Sequence, residues 1–377
     1  MEKYKGIQHF LFLFITSCCG ICHANTLNLG GTIFTPTLME LGKGESSLAV
    51  FDFNSDGHKD LVVSNYADNN IVIYRGNGKG NLTEIKRTSA GINPTDIATA
   101  DINGDGAFDI AIANHETSYM TVLLGDGKGN FIPAAYSPFG IEVKPHLHEV
   151  QLHDLDNDNK VDLIVDNRAN QGLLVLRGLD DGSFQTPGEL INVAGDPYRG
   201  FAIADLNTDG RLDIVTPNQQ EVATILNASS SEKLSFTLHE SVESTRPFSV
   251  ELADLNGDGH NDLIVASNGD NITIIPGDGT GNFLEKQKTS IKTSSGAKQI
   301  AIGDINGDGI KDSLVSSWSG KLLIILGSKT KLETISFEHL NIPNPWAVMM
   351  EDFNQDGKSD FIISDGNSTN ALMYVSQ

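Results

Sequence analysis

Asp52-Phe53-Asn54-Ser55-Asp56-Gly57-His58-Lys59-Asp60, running on into Leu61-Val62-Val63, is the stretch on which the reading of the fold turns. The same Asp-x-Asn/Asp-x-Asp-Gly-x-x-Asp pattern, each time followed by an apolar run, begins again at Asp101, Asp154, Asp205, Asp254, Asp304 and Asp352, at intervals of 48 to 53 residues. A fixed period near that length, with strand-like segments in every unit, belongs to a propeller, where each unit buries its faces against its neighbours. One repeat is then one blade. The expected fold class is all-β, a seven-bladed β-propeller whose acidic loops join the first and second strands of each blade.

The loops also predict an ion. Asp at positions one, five and nine, with Asn or Asp at position three, brings at least three carboxylates into a space of ionic size. Two carboxylates ~4 to 5 Å apart repel by roughly 3 to 4 kcal/mol at an effective dielectric near 20, so the bare cluster is unfavourable. A divalent cation reverses the sign. An all-oxygen, highly charged and flexible ligand set favours calcium over zinc, and over magnesium, which retains its waters. Position six is Gly in every copy but the third, where Asn159 is the ordinary residue best able to take the same turn. Position seven is His58, Ala107, Lys160, Arg211, His260, Ile310 or Lys358, which share no side-chain chemistry and leave only a backbone carbonyl to contribute. Position two is always large and apolar, and is expected to anchor the loop in the core. An EF-hand is excluded, because position twelve is Val63 or Val165 where that loop needs Glu, and strand formers follow where it needs a helix. Acidic turns alone use the same residues, but they do not demand Asp at position nine seven times over.

This repeat resembles the FG-GAP or VCBS family, whose best-known architecture is the seven-bladed propeller at the head of integrin alpha chains. The resemblance covers nearly the whole chain after its first two dozen residues, and implies up to seven calcium ions at one face of the disc. Its implied ligands are Asp52, Asn54, Asp56 and Asp60; Asp101, Asn103, Asp105 and Asp109; Asp154, Asp156, Asp158 and Asp162; and Asp205, Asn207, Asp209 and Asp213. The last three blades contribute Asp254, Asn256, Asp258 and Asp262; Asp304, Asn306, Asp308 and Asp312; and Asp352, Asn354, Asp356 and Asp360.

Residues 1–24 read as a secretory signal, with Lys3 and Lys5 before an apolar stretch and Ala24 at a small-residue cleavage site; residues 25–377 form the propeller. A secreted protein, extracellular or periplasmic, is therefore expected. The alternative is a lipoprotein, because Ile15-Thr16-Ser17-Cys18 resembles a lipobox with Cys18 as the anchor. All three cysteines, Cys18, Cys19 and Cys22, lie within this segment, so metal and not cystine would staple the mature chain. Removing the segment leaves 24 basic and 48 acidic side chains, a formal charge of −24. Nucleic acid is disfavoured as a partner, and seven calcium ions would bring the charge to about −10. No further apolar stretch has the length of a transmembrane span.

The last repeat stops after its third strand, at Tyr374-Val375-Ser376-Gln377, while Thr32-Ile33-Phe34-Thr35-Pro36 stands without a blade of its own. The N-terminal strand is expected to close the ring and remove the exposed edges. The Gly-x-Gly-x-Gly segments, such as Gly125 to Phe131, read as hairpins and not as nucleotide loops, since no helix follows them.

The face opposite the acidic loops is built from the starts of first strands and the turns after second strands. It gathers Asp96, His146, His148, Tyr198, Arg199, Phe248, Lys298, Trp318 and Trp346, varied from blade to blade and rich in the types that anchor ligands. Their plainer role is to plug the channel and cap strands. His146 and His148, two apart on an expected strand with His153 nearby, could serve a transition metal, although the sequence supplies no third ligand at fixed spacing. Two function classes stay open: a non-catalytic binding or adhesion module for a glycan or an extracellular protein, and an extracellular enzyme of polysaccharide lyase or hydrolase type. Against the enzyme, no nucleophile elbow and no His-Glu-x-x-His helix is present.

Overall fold

The computed structural model describes residues 26–377 apart from Gly30, 43–46, 168–171, 198–199, Asp270 and Ser294, so the expected signal segment and Cys18 lie outside the described residues. Seven antiparallel sheets account for the strands. Blade two shows the order: Pro94–Ala100, Asp109–Asn114, Tyr119–Gly125 and Phe131–Pro133, with the acidic loop between the first two. The corresponding first and second strands are Leu48–Phe51 and Asp60–Asn65, Val150–His153 and Asp162–Asn167, Ala202–Ala204 and Asp213–Pro217, Pro247–Ala253 and Asp262–Ser267, Ala297–Gly303 and Asp312–Ser317, and Pro345–Glu351 and Asp360–Asp365. Second strands are buried throughout, as central strands covered on both faces must be.

The seventh sheet draws on both ends of the chain. Thr32–Glu40 runs antiparallel to Asn370–Ser376, with Phe34 opposite Ser376 and Glu40 opposite Asn370, and Leu27–Leu29 adds a fifth strand outside it. In blades three and five the glycine hairpin closes at a single bridge, Gly178 to Phe184 and Gly277 to Phe283, and the paired outer strand starts only at Glu189 and Thr289. Among the described residues, no helix is long and apolar enough to cross a membrane.

The core lies between blades. Seven clusters of buried side chains sit one at each blade boundary; Ile102, Val122, Leu163 and Val165 fill that between blades two and three, and Leu61, Val72, Trp346 and Phe353 that between seven and one. Position two of every acidic loop is among these buried residues: Phe53, Ile102, Leu155, Leu206, Leu255, Ile305 and Phe353 are at most 6% exposed. Burying one such side chain contributes ~1.5 to 3 kcal/mol. Each loop is thus pinned to the interface it stands beside.

Candidate functional site

The seven acidic loops share one hydrogen-bond plan. The carboxylate at position one accepts the amides of positions five and six, as Asp101 does from Asp105 at 3.0 Å and from Gly106 at 2.9 Å. The side chain at position three accepts the amide of position five, and the carboxylate at position five accepts that of position seven. Position six takes positive φ in all copies, 82° to 90° for the six glycines and 67° for Asn159, so the asparagine does make the glycine's turn. Position four is left-handed as well, which the sequence pattern did not announce. Gly104, Gly257 and Gly307 suit that geometry and Asn157 tolerates it, whereas Ser55, Thr208 and Gln355 adopt it with φ of 57° to 61°.

The aspartate at position nine does more than face the loop. One oxygen accepts the amide of position two, and the other accepts an amide at the end of the third strand: for Asp262, Leu255 at 3.0 Å and Gly277 at 3.2 Å. Asp60, Asp109, Asp162, Asp213, Asp312 and Asp360 repeat both bonds, to Phe53 and Gly76, Ile102 and Gly125, Leu155 and Gly178, Leu206 and Asn227, Ile305 and Gly327, and Phe353 and Ser376. All seven are at most 1% exposed. Burial outweighs the two amides and the neighbouring carboxylates add to it. The carboxyls of Asp60, Asp109, Asp262, Asp312 and Asp360 are pushed up to about 6, Asp162 to about 7, and Asp213 upward.

This donor set fits calcium: oxygen only, with most carboxylate oxygens accepting a single amide and so keeping a lone pair, and a buried ninth-position acid held only by neutral donors. In the third copy, where position three is an aspartate, oxygens of Asp154, Asp156 and Asp162 all lie within 4.8 Å of one another. It also holds an organic cation. The Arg177 guanidinium reaches Asp156 and, at 3.6 Å, Asp158, while Lys160 lies 3.7 Å from Asp158.

On the opposite face the first strands line a central channel of about 310 Å3, reached by Asp96, His148, Glu149, Glu251, Gln299 and Trp346. Asp96 accepts from the Ser47 hydroxyl at 2.6 Å and the Val150 amide at 2.9 Å; burial pushes its carboxyl up to about 6. Burial does the same to two acids that the sequence did not single out, Glu149, well above the usual range, and Glu251, to about 7. Lys298 is fully buried. Its ammonium donates to Asn344 Oδ1 and the Pro345 carbonyl, both at 2.8 Å, and sits 4.4 and 5.0 Å from the ring centres of Trp318 and Trp346. Trp346 and Phe248 are 5% and 3% exposed, so both are wall, whereas Trp318 is 45% exposed and meets both rings edge-on. Tyr198 and Arg199 lie outside the described residues.

His146 and His148 precede the strand expected to carry them, which starts at Val150, yet their rings meet with centroids 4.5 Å apart. His153 is not with them. It sits at the far end of that strand, next to the acidic loop, bonded to Gln151 at 3.0 Å, and burial lowers its pKa. His115, from the turn after the second strand of blade two, takes the third place.

A larger cavity, about 900 Å3, opens on the same face between blades four and five. Asp196, Asn218, Gln219, Arg246, Phe248 and Asn268 line it. Apart from Phe248 nothing in the sequence marks it, because it is formed where two turns from neighbouring blades meet a lead-in segment.

A family model described as FG-GAP-like repeat matches residues 52–112, 101–165, 154–216 and 254–315, more than half of the chain. Among solved structures, BBS1N in complex with ARL6DN is similar with TM-score 0.62 at 13% identity, covering 93% of this chain and 96% of that one. An Agrocybe aegerita lectin described by its specific recognition of non-reducing terminal N-acetylglucosamine is similar with TM-score 0.52 at 16% identity, covering 77% and 80%. At such identities the likeness is one of fold. Comparison with the curated proteins finds no match.

Proposed function

Since this chain belongs to the FG-GAP-like repeat family, we propose that it is a secreted, calcium-stabilised propeller acting as a non-catalytic binding module, with a glycan as ligand on the face away from the acidic loops. The observation that carries this reading is the cavity of about 900 Å3 between blades four and five. Its lining offers amide, carboxylate and guanidinium groups, which suit the closely spaced hydroxyls of a sugar, beside Phe248 and the exposed ring of Trp318. A few fixed polar groups around an aromatic wall orient such a ligand. The calcium loops serve stability. At ~10 times its dissociation constant each ion adds ~1.4 kcal/mol, and seven add roughly 10.

The test is a glycan array with the mature protein in calcium, repeated with Trp318→Ala and Arg246→Ala. Loss of a specific glycan signal in both variants supports the reading. A signal that survives both moves the ligand elsewhere. Conversion of a polysaccharide in the same samples favours the enzyme alternative.

A further inference from the structure

We propose that His115, His146 and His148 bind a transition-metal ion of the zinc class at the mouth of the central channel. The three come from two blades: His115 follows the strand Asp109–Asn114, and His146 and His148 lie in the lead-in to Val150–His153. Their ring centroids are 4.2, 4.5 and 5.0 Å apart, and one nitrogen of each lies within 4.8 Å of the other two. A tetrahedral ion at 2.0 to 2.1 Å requires nitrogens about 3.4 Å apart, so the three side chains must close by small rotations from their positions here.

Two of the rings are gripped from behind by carboxylates. Nδ1 of His148 is 3.2 Å from Asp166 Oδ2, and Nδ1 of His115 is 2.8 Å from Glu116 Oε1. A carboxylate that accepts a hydrogen bond from Nδ1–H leaves Nε2 as the electron-pair donor, the arrangement in which imidazoles bind metals. Asp166 is buried, and its other oxygen accepts the amides of His148 and Glu149 at 2.8 and 3.0 Å, so the grip is fixed by the fold. His146 itself has φ +127°, a conformation rare for any residue with a side chain. Backbone held in a rare conformation where three rings converge is the pattern of a functional site.

Imidazole donors select zinc, copper or nickel, whereas calcium requires oxygen, so this site and the acidic loops at the other ends of the strands take different ions. Three protein nitrogens leave one tetrahedral position for water or a ligand oxygen. His148 also lines the channel, which places that position beside the buried acids Asp96 and Glu149.

The experiment uses tag-free mature protein in excess calcium, titrated with Zn2+ by calorimetry and with Co2+ by visible absorption. One equivalent of zinc and intense tetrahedral cobalt bands are expected. Both should be lost in His146→Ala, with its melting curve in calcium read alongside to show that the variant is folded. Asp166→Asn should weaken zinc about 10- to 100-fold, and His115→Ala should abolish the cobalt bands. Zinc stoichiometry unchanged in both His146→Ala and His115→Ala, or only the weak spectrum of an oxygen-bound cobalt ion, would overturn the proposal and return the histidines to lining the channel.

Discussion

Blades one and three carry an arginine at the same place, immediately before the residue whose amide binds the ninth-position aspartate, yet the two side chains do different things. Arg75 is exposed; Arg177 turns into its acidic loop and contacts Asp156 and Asp158. What differs is position three, asparagine in blade one (Asn54) and in five others, but aspartate (Asp156) in blade three. Asp156 is 1% exposed, and an extra carboxylate at that depth is costly without a cation. The third loop is therefore partly neutralised by its own chain at depth, whereas the fourth has only an exposed pair, Arg211 to Asp209 at 3.2 Å, and the other five show no ion pair to a loop carboxylate among the described residues. The lesson is that a repeat whose pattern is kept can still change its electrostatics through one ligand and one neighbour.

The largest effect expected is that of stripping calcium. A chelator should lower the melting temperature sharply, by the equivalent of about 10 kcal/mol if all loops were well filled, and the stripped protein should become pH-sensitive. The ninth-position carboxyls have folded pKa values raised from 3.8 to about 6 or 7. Their contribution is therefore fully present below pH ~4 and is lost as pH rises through 6 to 7. Metal-free protein should thus melt lower at pH 7.5 than at pH 5, and calcium-loaded protein should not.

Next in size is Asp262→Ala. It strands the amides of Leu255 and Gly277, at ~1 to 3 kcal/mol each, so it should cost about 3 kcal/mol even in chelator. Asp258→Ala at exposed position five should cost less, and mostly in calcium. Equal losses for the two, with and without calcium, would remove the distinction between clasp and ligand.

Arg177→Leu then separates loop three from the rest. It should tighten calcium binding at one site by about tenfold, ~1.4 kcal/mol, while lowering the stability of stripped protein; Arg75→Leu should do neither. Smallest is Thr208→Gly. Thr208 is the one β-branched residue at position four of the loops, with φ 58°, and relief of that strain should raise stability by about 1 kcal/mol in thermal melts.

The period, the blade count and the anchoring role of Phe53 and its counterparts were legible in the sequence, because periodicity and burial act locally and repeat. The double grip of the ninth aspartate was not, since its second amide comes from a strand about 15 residues away and an amide leaves no mark in a sequence. Lys298 belongs by sequence to the candidate ligand set, yet it lies fully buried beside two tryptophans, a packing that depends on neighbouring blades. His115 joins His146 and His148 only because blade two abuts blade three. Chain spacing holds no record of that distance.

The measurement that bears most directly on the account is calcium titration of stripped wild-type protein, with the bound metal counted by elemental analysis. Six tight equivalents and a seventh, weaker one that becomes tight in Arg177→Leu are predicted. No bound calcium, together with a melting curve that does not respond to it, would contradict the account.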